Sequence, residues 1–164
     1  MSMSIHWRAV TALGGLLLIC CQGAFGANSI SIKGVVLMPP PCVVNAAGTL
    51  SVAFGTDLLT TRINGVNYSK SVPYTVTCGP QPTKLMTLKL TGTGAVFDTN
   101  ALRTNKTDLG IKLLVGGVAW PLNTTVNFTH PTLPVVTAVL VKKAGSTLTA
   151  GSFTASATLV VALR

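Results

Sequence analysis

Phe153, Ala155, Ala157, Leu159, Val161 and Leu163 fall on every second position and hold one apolar face without a break; Thr154, Ser156 and Thr158 lie opposite, followed by Val160 and Ala162. A period of two is the signature of a β-strand, because successive side chains of a strand point to opposite faces; a helix would repeat near 3.6. This is the most regular strand in the chain, and it runs to the last residue. Such a terminal strand either pairs on both sides within its own fold or leaves one edge open.

The same period recurs along the chain. Leu50, Val52 and Phe54 alternate with Thr49, Ser51 and Ala53, and Val72, Tyr74, Val76 and Cys78 share a side opposite Thr75 and Thr77. Leu88 and Leu90 alternate with Thr87 and Lys89, and Ile111, Leu113 and Val115 with Lys112 and Leu114. Val135–Val141 reads as a further strand ended by a turn over Lys142–Gly145. Gly116-Gly117 sits between the Leu109–Val115 run and Val118–Leu122, a two-residue hairpin signal. Each run is short, rich in Val, Ile, Thr and Leu, and bounded by Gly, Pro, Asn or Asp. With no helical pattern beside them, these runs predict an antiparallel β-sandwich.

The N-terminus reads as a secretory signal. Arg8 is followed by an apolar stretch from Ala9 to Cys21, and Ala24-Phe25-Gly26 presents small residues at the third-last and last positions before a cut. The stretch is shorter than the ~20 residues that span a bilayer. Cleavage after Gly26 removes two of the four cysteines and leaves Cys42 and Cys78. An even pair in an exported chain predicts one disulfide. Closing a loop of 36 positions stabilises the fold by about 4 kcal/mol in the chain-entropy picture.

From Ala27 to Met38 a second alternating segment begins, with Ile30, Ile32, Gly34, Val36 and Met38 on one side, and Pro39-Pro40-Pro41 follows at once. Three prolines remove three backbone donors and fix φ, so a central strand cannot run through them. The segment is thereby uncoupled from the domain starting near Cys42. It either seeks a sheet edge on another molecule or folds back as the first strand of its own domain. The expected organisation is a signal peptide over 1–26, an extension over 27–41 and a domain over 42–164.

Composition narrows the function. The chain has three Asp, no Glu and two His against twelve Lys and Arg, for a net charge of +9. Acid clusters and His-rich metal sites are all but excluded, and no cofactor or metal is expected. His130 and the dispersed Asp57, Asp98 and Asp108 make a poor start for a catalytic constellation, which needs convergent partners. Trp120, Tyr68, Tyr74, Phe54, Phe97 and Phe128 are expected in core or edge positions. The basic residues are scattered in runs no longer than two, unlike a nucleic-acid stripe. No nucleic-acid partner is expected.

Taken in order, these segments resemble subunits of chaperone–usher fimbriae, chiefly the minor, adaptor-type pilins of type 1-like and P-like fimbriae. NSISIKGVVLMPPPCVV (Asn28–Val44) resembles their N-terminal extension, LSVAFG (Leu50–Gly55) the strand after the first Cys, and SVPYTVTC (Ser71–Cys78) the strand carrying the second. LGIKLL (Leu109–Leu114) is similar to a family strand, and GSFTASATLVVALR resembles the C-terminal recognition motif, with Gly151 fourteenth from the end. The family usually has an aromatic at the penultimate position, where this chain has Leu163.

The resemblance implies an all-β, incomplete immunoglobulin-like sandwich that lacks its seventh strand. It implies a periplasmic chaperone that lends a strand, an outer-membrane usher, and neighbouring pilin subunits whose extensions replace the lent strand. Export through the periplasm to a fimbrium on the bacterial surface follows, with any host surface receptor reached through the fibre. The donated residues would be Ile30, Ile32 and Val36, with Gly34 allowing close backbone approach. The receiving strand would present Gly151, Phe153, Ala155, Ala157, Leu159, Val161 and Leu163. The rival reading in a different class is a single-domain tip adhesin that binds a host glycan or protein directly.

Overall fold

The computed structural model describes residues 33–34 and 42–164. The chain divides into two units, Met1–Val36 and Leu37–Arg164. In the first, Lys33 and Gly34 are described, and both are exposed.

The second unit is built from eleven strands among the described residues: β1 (Val43–Val44), β2 (Ser69–Ser71), β3 (Val76–Thr77), β4 (Leu85–Gly92), β5 (Gly94–Ala95), β6 (Asp98–Arg103), β7 (Leu109–Val115), β8 (Val118–Trp120), β9 (Thr125–Thr129), β10 (Val136–Lys142) and β11 (Ala157–Leu163). Single 3-10 turns cover Asn45–Ala47 and Thr60–Arg62. One sheet runs β2-β10-β7-β6-β5, and β8 pairs with β7 beyond the end of β6. A second sheet runs β11-β4-β9, and β1 pairs with β3. The pairings are antiparallel.

Alternation explains the packing. On β4, Met86, Leu88 and Leu90 face inward, and on β10 Val136, Ala138 and Leu140 do the same from the opposing sheet. Leu88 and Leu140 are fully buried, and Leu102, Leu109, Ile111, Leu113 and Trp120 join them in one core. The β7–β8 hairpin turns at Gly116 (φ 56°) and Gly117 (φ 83°). Two successive positive φ values make the turn whose twist suits paired strands, and glycine enters that region without steric cost. The expected aromatic placements hold for Trp120, whose Nε1 donates to Thr124 O at 3.3 Å, and for Tyr74, whose hydroxyl donates to Pro134 O at 2.6 Å.

The expected strands differ from the observed ones in an informative way. Leu50, Val52 and Phe54 are half-buried and their neighbours exposed, as alternation predicts, yet the segment belongs to no ladder. The terminal strand is laddered only over Ala157–Leu163, so Phe153–Ser156 alternates in burial without a strand partner. A ladder needs a second strand beside it; among the described residues Leu50–Phe54 has none, and Phe153–Ser156 has only the single residue Asn105, bonded to Thr154. The β5–β6 hairpin and β9 were not anticipated. Their sequences, DTNALR and TVNFT, carry Asp and Asn, which are depleted in strands, and pairing with β7 and β4 overrides that preference.

Candidate functional site: an apolar groove between two backbone edges

The disulfide Cys42–Cys78 anchors the start of the domain to the end of the β3 segment. Val43 and Val44 pair with Thr77 and Val76. Asn45 then continues that pairing by itself: its N–H donates to Thr75 O at 3.0 Å, and its Oδ1 accepts from Thr75 N at 2.8 Å. Asn45 and Ala46 both take left-handed φ values, 49° and 50°, and there the chain turns out of the small sheet. Beyond this turn run Leu50, Val52 and Phe54.

Opposite them lies β11. It is hydrogen-bonded to β4 in register from Ala157↔Gly92 to Leu163↔Met86 and stands at the edge of its sheet. Between the two segments is a groove of about 920 Å³. Consecutive residues line both sides: Gly48 to Val52 on one, Ala157 to Val161 on the other. Side chains of consecutive strand residues point to opposite faces, so a run of neighbours lines a cavity only when the backbone edge itself borders it. The groove therefore lies between two strand-like edges. At one end β1 approaches β11. At the other, the rings of Phe54 and Phe153 meet across the rims, with centroids 5.9 Å apart.

The floor of the groove is the core itself. Leu90 of β4, Leu102 of β6, Ile111 and Leu113 of β7, and Ala138 of β10 all line it. These side chains come from both sheets, so the sandwich is open along this seam. The rim side chains Phe153, Ala155, Leu159 and Val161 are only half-buried although they pack against the core. Among the described residues, no Asp, Glu, Lys, Arg or His lines the groove, and Cys42 there is disulfide-bonded. An uncharged, apolar slot between two unpaired edges suits one kind of occupant: an extended segment that offers backbone hydrogen bonds and alternate side chains.

Of the residues singled out from sequence, Phe153, Ala155, Ala157, Leu159 and Val161 line this groove. Gly151 lies just upstream with φ +111°, and Leu163 sits half-buried opposite Met86 at the far end of the ladder. Ile30, Ile32 and Val36 lie outside the described residues. The opposite rim was not assigned to a site from sequence, although the alternation of Leu50, Val52 and Phe54 was its signal. The floor residues carried no signal beyond hydrophobicity.

Charged groups lie elsewhere. Asp98 pairs with Lys112 at 2.9 Å, and the hydrogen bond from that ammonium holds the carboxyl below the usual carboxylate range. Among the described residues, no group of three or more His, Cys, Asp or Glu side chains is placed to hold a metal ion.

A family model described as fimbrial protein matches residues 30–164. The fimbrial-like protein YfcQ of Escherichia coli K12 is 36% identical over 155 residues, covering 89% of this chain and 95% of that protein. The fimbrial-like protein YfcR of the same strain is 30% identical over 165 residues, covering 91% and 92%. Among solved structures, the P pilus rod subunit PapA matches with a TM-score of 0.63 at 22% identity, over 76% of this chain and 99% of that one. The P pilus adaptor subunit PapF matches with a TM-score of 0.55 at 22% identity, over 77% and 98%. The fold shared with these subunits is the immunoglobulin-like β-sandwich of pilins.

Proposed function

We propose that this chain, which belongs to the fimbrial protein family of structural rather than enzymatic pilus subunits, polymerises by donor-strand exchange in a chaperone–usher fimbria. The groove between Gly48–Val52 and Ala157–Val161 is the acceptor. A periplasmic chaperone lends a strand to it first. At the outer-membrane usher, the alternating extension of the next subunit replaces that strand. The extension of this chain, with Ile30, Ile32 and Val36 as inserted side chains and Gly34 at the close approach, is donated in turn to another subunit.

The observation that carries the reading is a core floored by residues of both sheets and left open between two backbone edges. Burying three aliphatic side chains at roughly 2 kcal/mol each contributes about 6 kcal/mol before any backbone hydrogen bond is counted. The three prolines after Met38 support a donor role, because they uncouple the segment from its own domain. The donor-type extension ahead of the domain favours an internal, adaptor-like position over a tip adhesin, and adhesion is then a property of the assembled fibre.

The test is a purified strand-exchange assay with chaperone-bound subunits. Gly34→Leu and Ile32→Asp are expected to block incorporation into polymer while the chaperone complex stays soluble. Removing residues 27–38 should leave one-to-one chaperone complexes and no polymer. Normal polymerisation by these variants would overturn the assignment.

A further inference from the structure

The apolar rim of the groove extends upstream of β11. Phe153, Thr154 and Ala155 line the groove, yet the ladder with β4 begins only at Ala157↔Gly92. β4 ends at Gly92, and the chain passes through Thr93 into β5. Among the described residues, this half of the rim therefore has no strand beside it. What it has instead is the turn between β6 and β7.

That turn is organised from within. Thr104 is buried, its hydroxyl lies 2.8 Å from Leu109 O, and it accepts from Lys106 N at 3.0 Å. Two side chains project from the turn onto the rim. Asn105 binds Thr154 twice: its N–H donates to Thr154 O at 3.0 Å, and its Oδ1 accepts from Thr154 N at 3.0 Å. One residue thus supplies both bonds of a strand rung. Lys106 Nζ donates to Thr149 O at 3.1 Å and to Ala150 O at 3.0 Å, and lies 3.5 Å from Thr149 Oγ1. Between these anchors Gly151 takes φ +111°, a region that side-chain-bearing residues rarely enter.

We propose that Asn105 and Lys106 are positioning residues that hold the Phe153–Ala155 half of the rim in strand geometry, ready to receive the end of an incoming donor strand. The proposal rests on the donor-strand reading of the groove. Affinity for an extended segment depends on how far the receiving backbone is ordered beforehand. The clasp orders the stretch that the ladder leaves unsupported. Its acceptors are neutral carbonyls and a hydroxyl, so salt should not weaken it as it weakens an ion pair.

The experiment measures association of a fluorescent peptide carrying residues 28–38 with the one-to-one chaperone complex of the chain lacking residues 27–38, so that no donor segment of its own competes. Asn105→Ala and Lys106→Met are expected to slow association about tenfold, the effect of losing one or two hydrogen bonds. Lys106→Arg should stay within about twofold, because it keeps the cationic donor. Peptides with Ile30→Ala or Val36→Ala then locate the effect. In a double-mutant cycle, the clasp variants should couple to one end of the donor and be additive with the other. In hydrogen exchange, Asn105→Ala should release the Thr154 amide and leave the β4-paired amides of β11 protected.

Equal rates in wild type and variants would overturn the clasp alone. So would equal loss with every peptide, or loss of protection throughout β11, since either marks general destabilisation. No binding of the peptide by the wild-type chain would overturn the groove reading, and the clasp with it.

Discussion

Tyr74 shows how one buried polar atom ties stability to pH. Its ring is in the core, its hydroxyl donates to Pro134 O, and burial pushes its pKa up to about 12. The neutral form is favoured in the fold, so its contribution is complete below the ordinary tyrosine value near 10 and is lost as pH rises from there through about 12. Thermal melts are expected to hold level up to about pH 10 and fall beyond it. Tyr74→Phe should lower stability by about 1 kcal/mol, because the Pro134 carbonyl loses its donor, and should flatten that alkaline fall. An unchanged alkaline limb in the variant would show that Tyr74 does not cause it. The Asp98–Lys112 pair has the opposite sign. Its stability is present above the ordinary carboxylate pKa and lost as pH falls through the lowered one. With Lys112 well exposed, that pair contributes well under about 1 kcal/mol.

At the scale of elements, the groove separates two kinds of core residue. Leu88 on β4 and Leu140 on β10 are fully enclosed, so Leu88→Ala or Leu140→Ala should cost about 2–5 kcal/mol whether or not a donor is present. Leu159 faces the open seam and is half-buried. Leu159→Ala should therefore cost under about 1.5 kcal/mol in the uncomplemented chain and more once a donor strand is bound. Paired denaturant titrations, with and without the 28–38 peptide, measure this difference; equal costs in both states would mean that no donor covers Leu159. The disulfide acts at the other rim. Cys42→Ser with Cys78→Ser is expected to lower stability by about 4 kcal/mol and to loosen the Val43–Asn45 pairing that sets the first edge. A midpoint shift in urea equivalent to less than about 1 kcal/mol would contradict it.

For the whole molecule, charge and chemistry are segregated. The chain carries a net charge of +9, yet among the described residues none that lines the groove is charged. Donor binding should therefore be flat between about pH 5 and 9, and nearly insensitive to salt, because it rests on apolar burial and backbone bonds. Peptide affinity measured across that range checks it, and a change of more than about fivefold would place an ionisable group in the interface. A molecule with an open seam also gains stability by mass action whenever the seam is filled. Its melting temperature should rise with donor concentration.

Much of this was legible in the residues. Alternation marked Leu88 and Leu90, Ile111 and Leu113, and Ala157–Leu163 of the terminal run as strands of a sandwich, though it overreached at Phe153–Ser156. The pair of cysteines beyond the expected signal predicted the Cys42–Cys78 disulfide, and Gly116-Gly117 marked its hairpin. Those features are local, and a period of two states which face of a strand is buried. It does not state which edge is paired, since every residue except proline presents the same donor and acceptor to a neighbour. The terminal strand was compatible with two paired edges or one. Among the described residues, tertiary structure pairs it on one edge, sets Leu50–Phe54 across from it as a second edge outside any ladder, and brings Asn105 and Lys106 to the stretch that neither sheet supports.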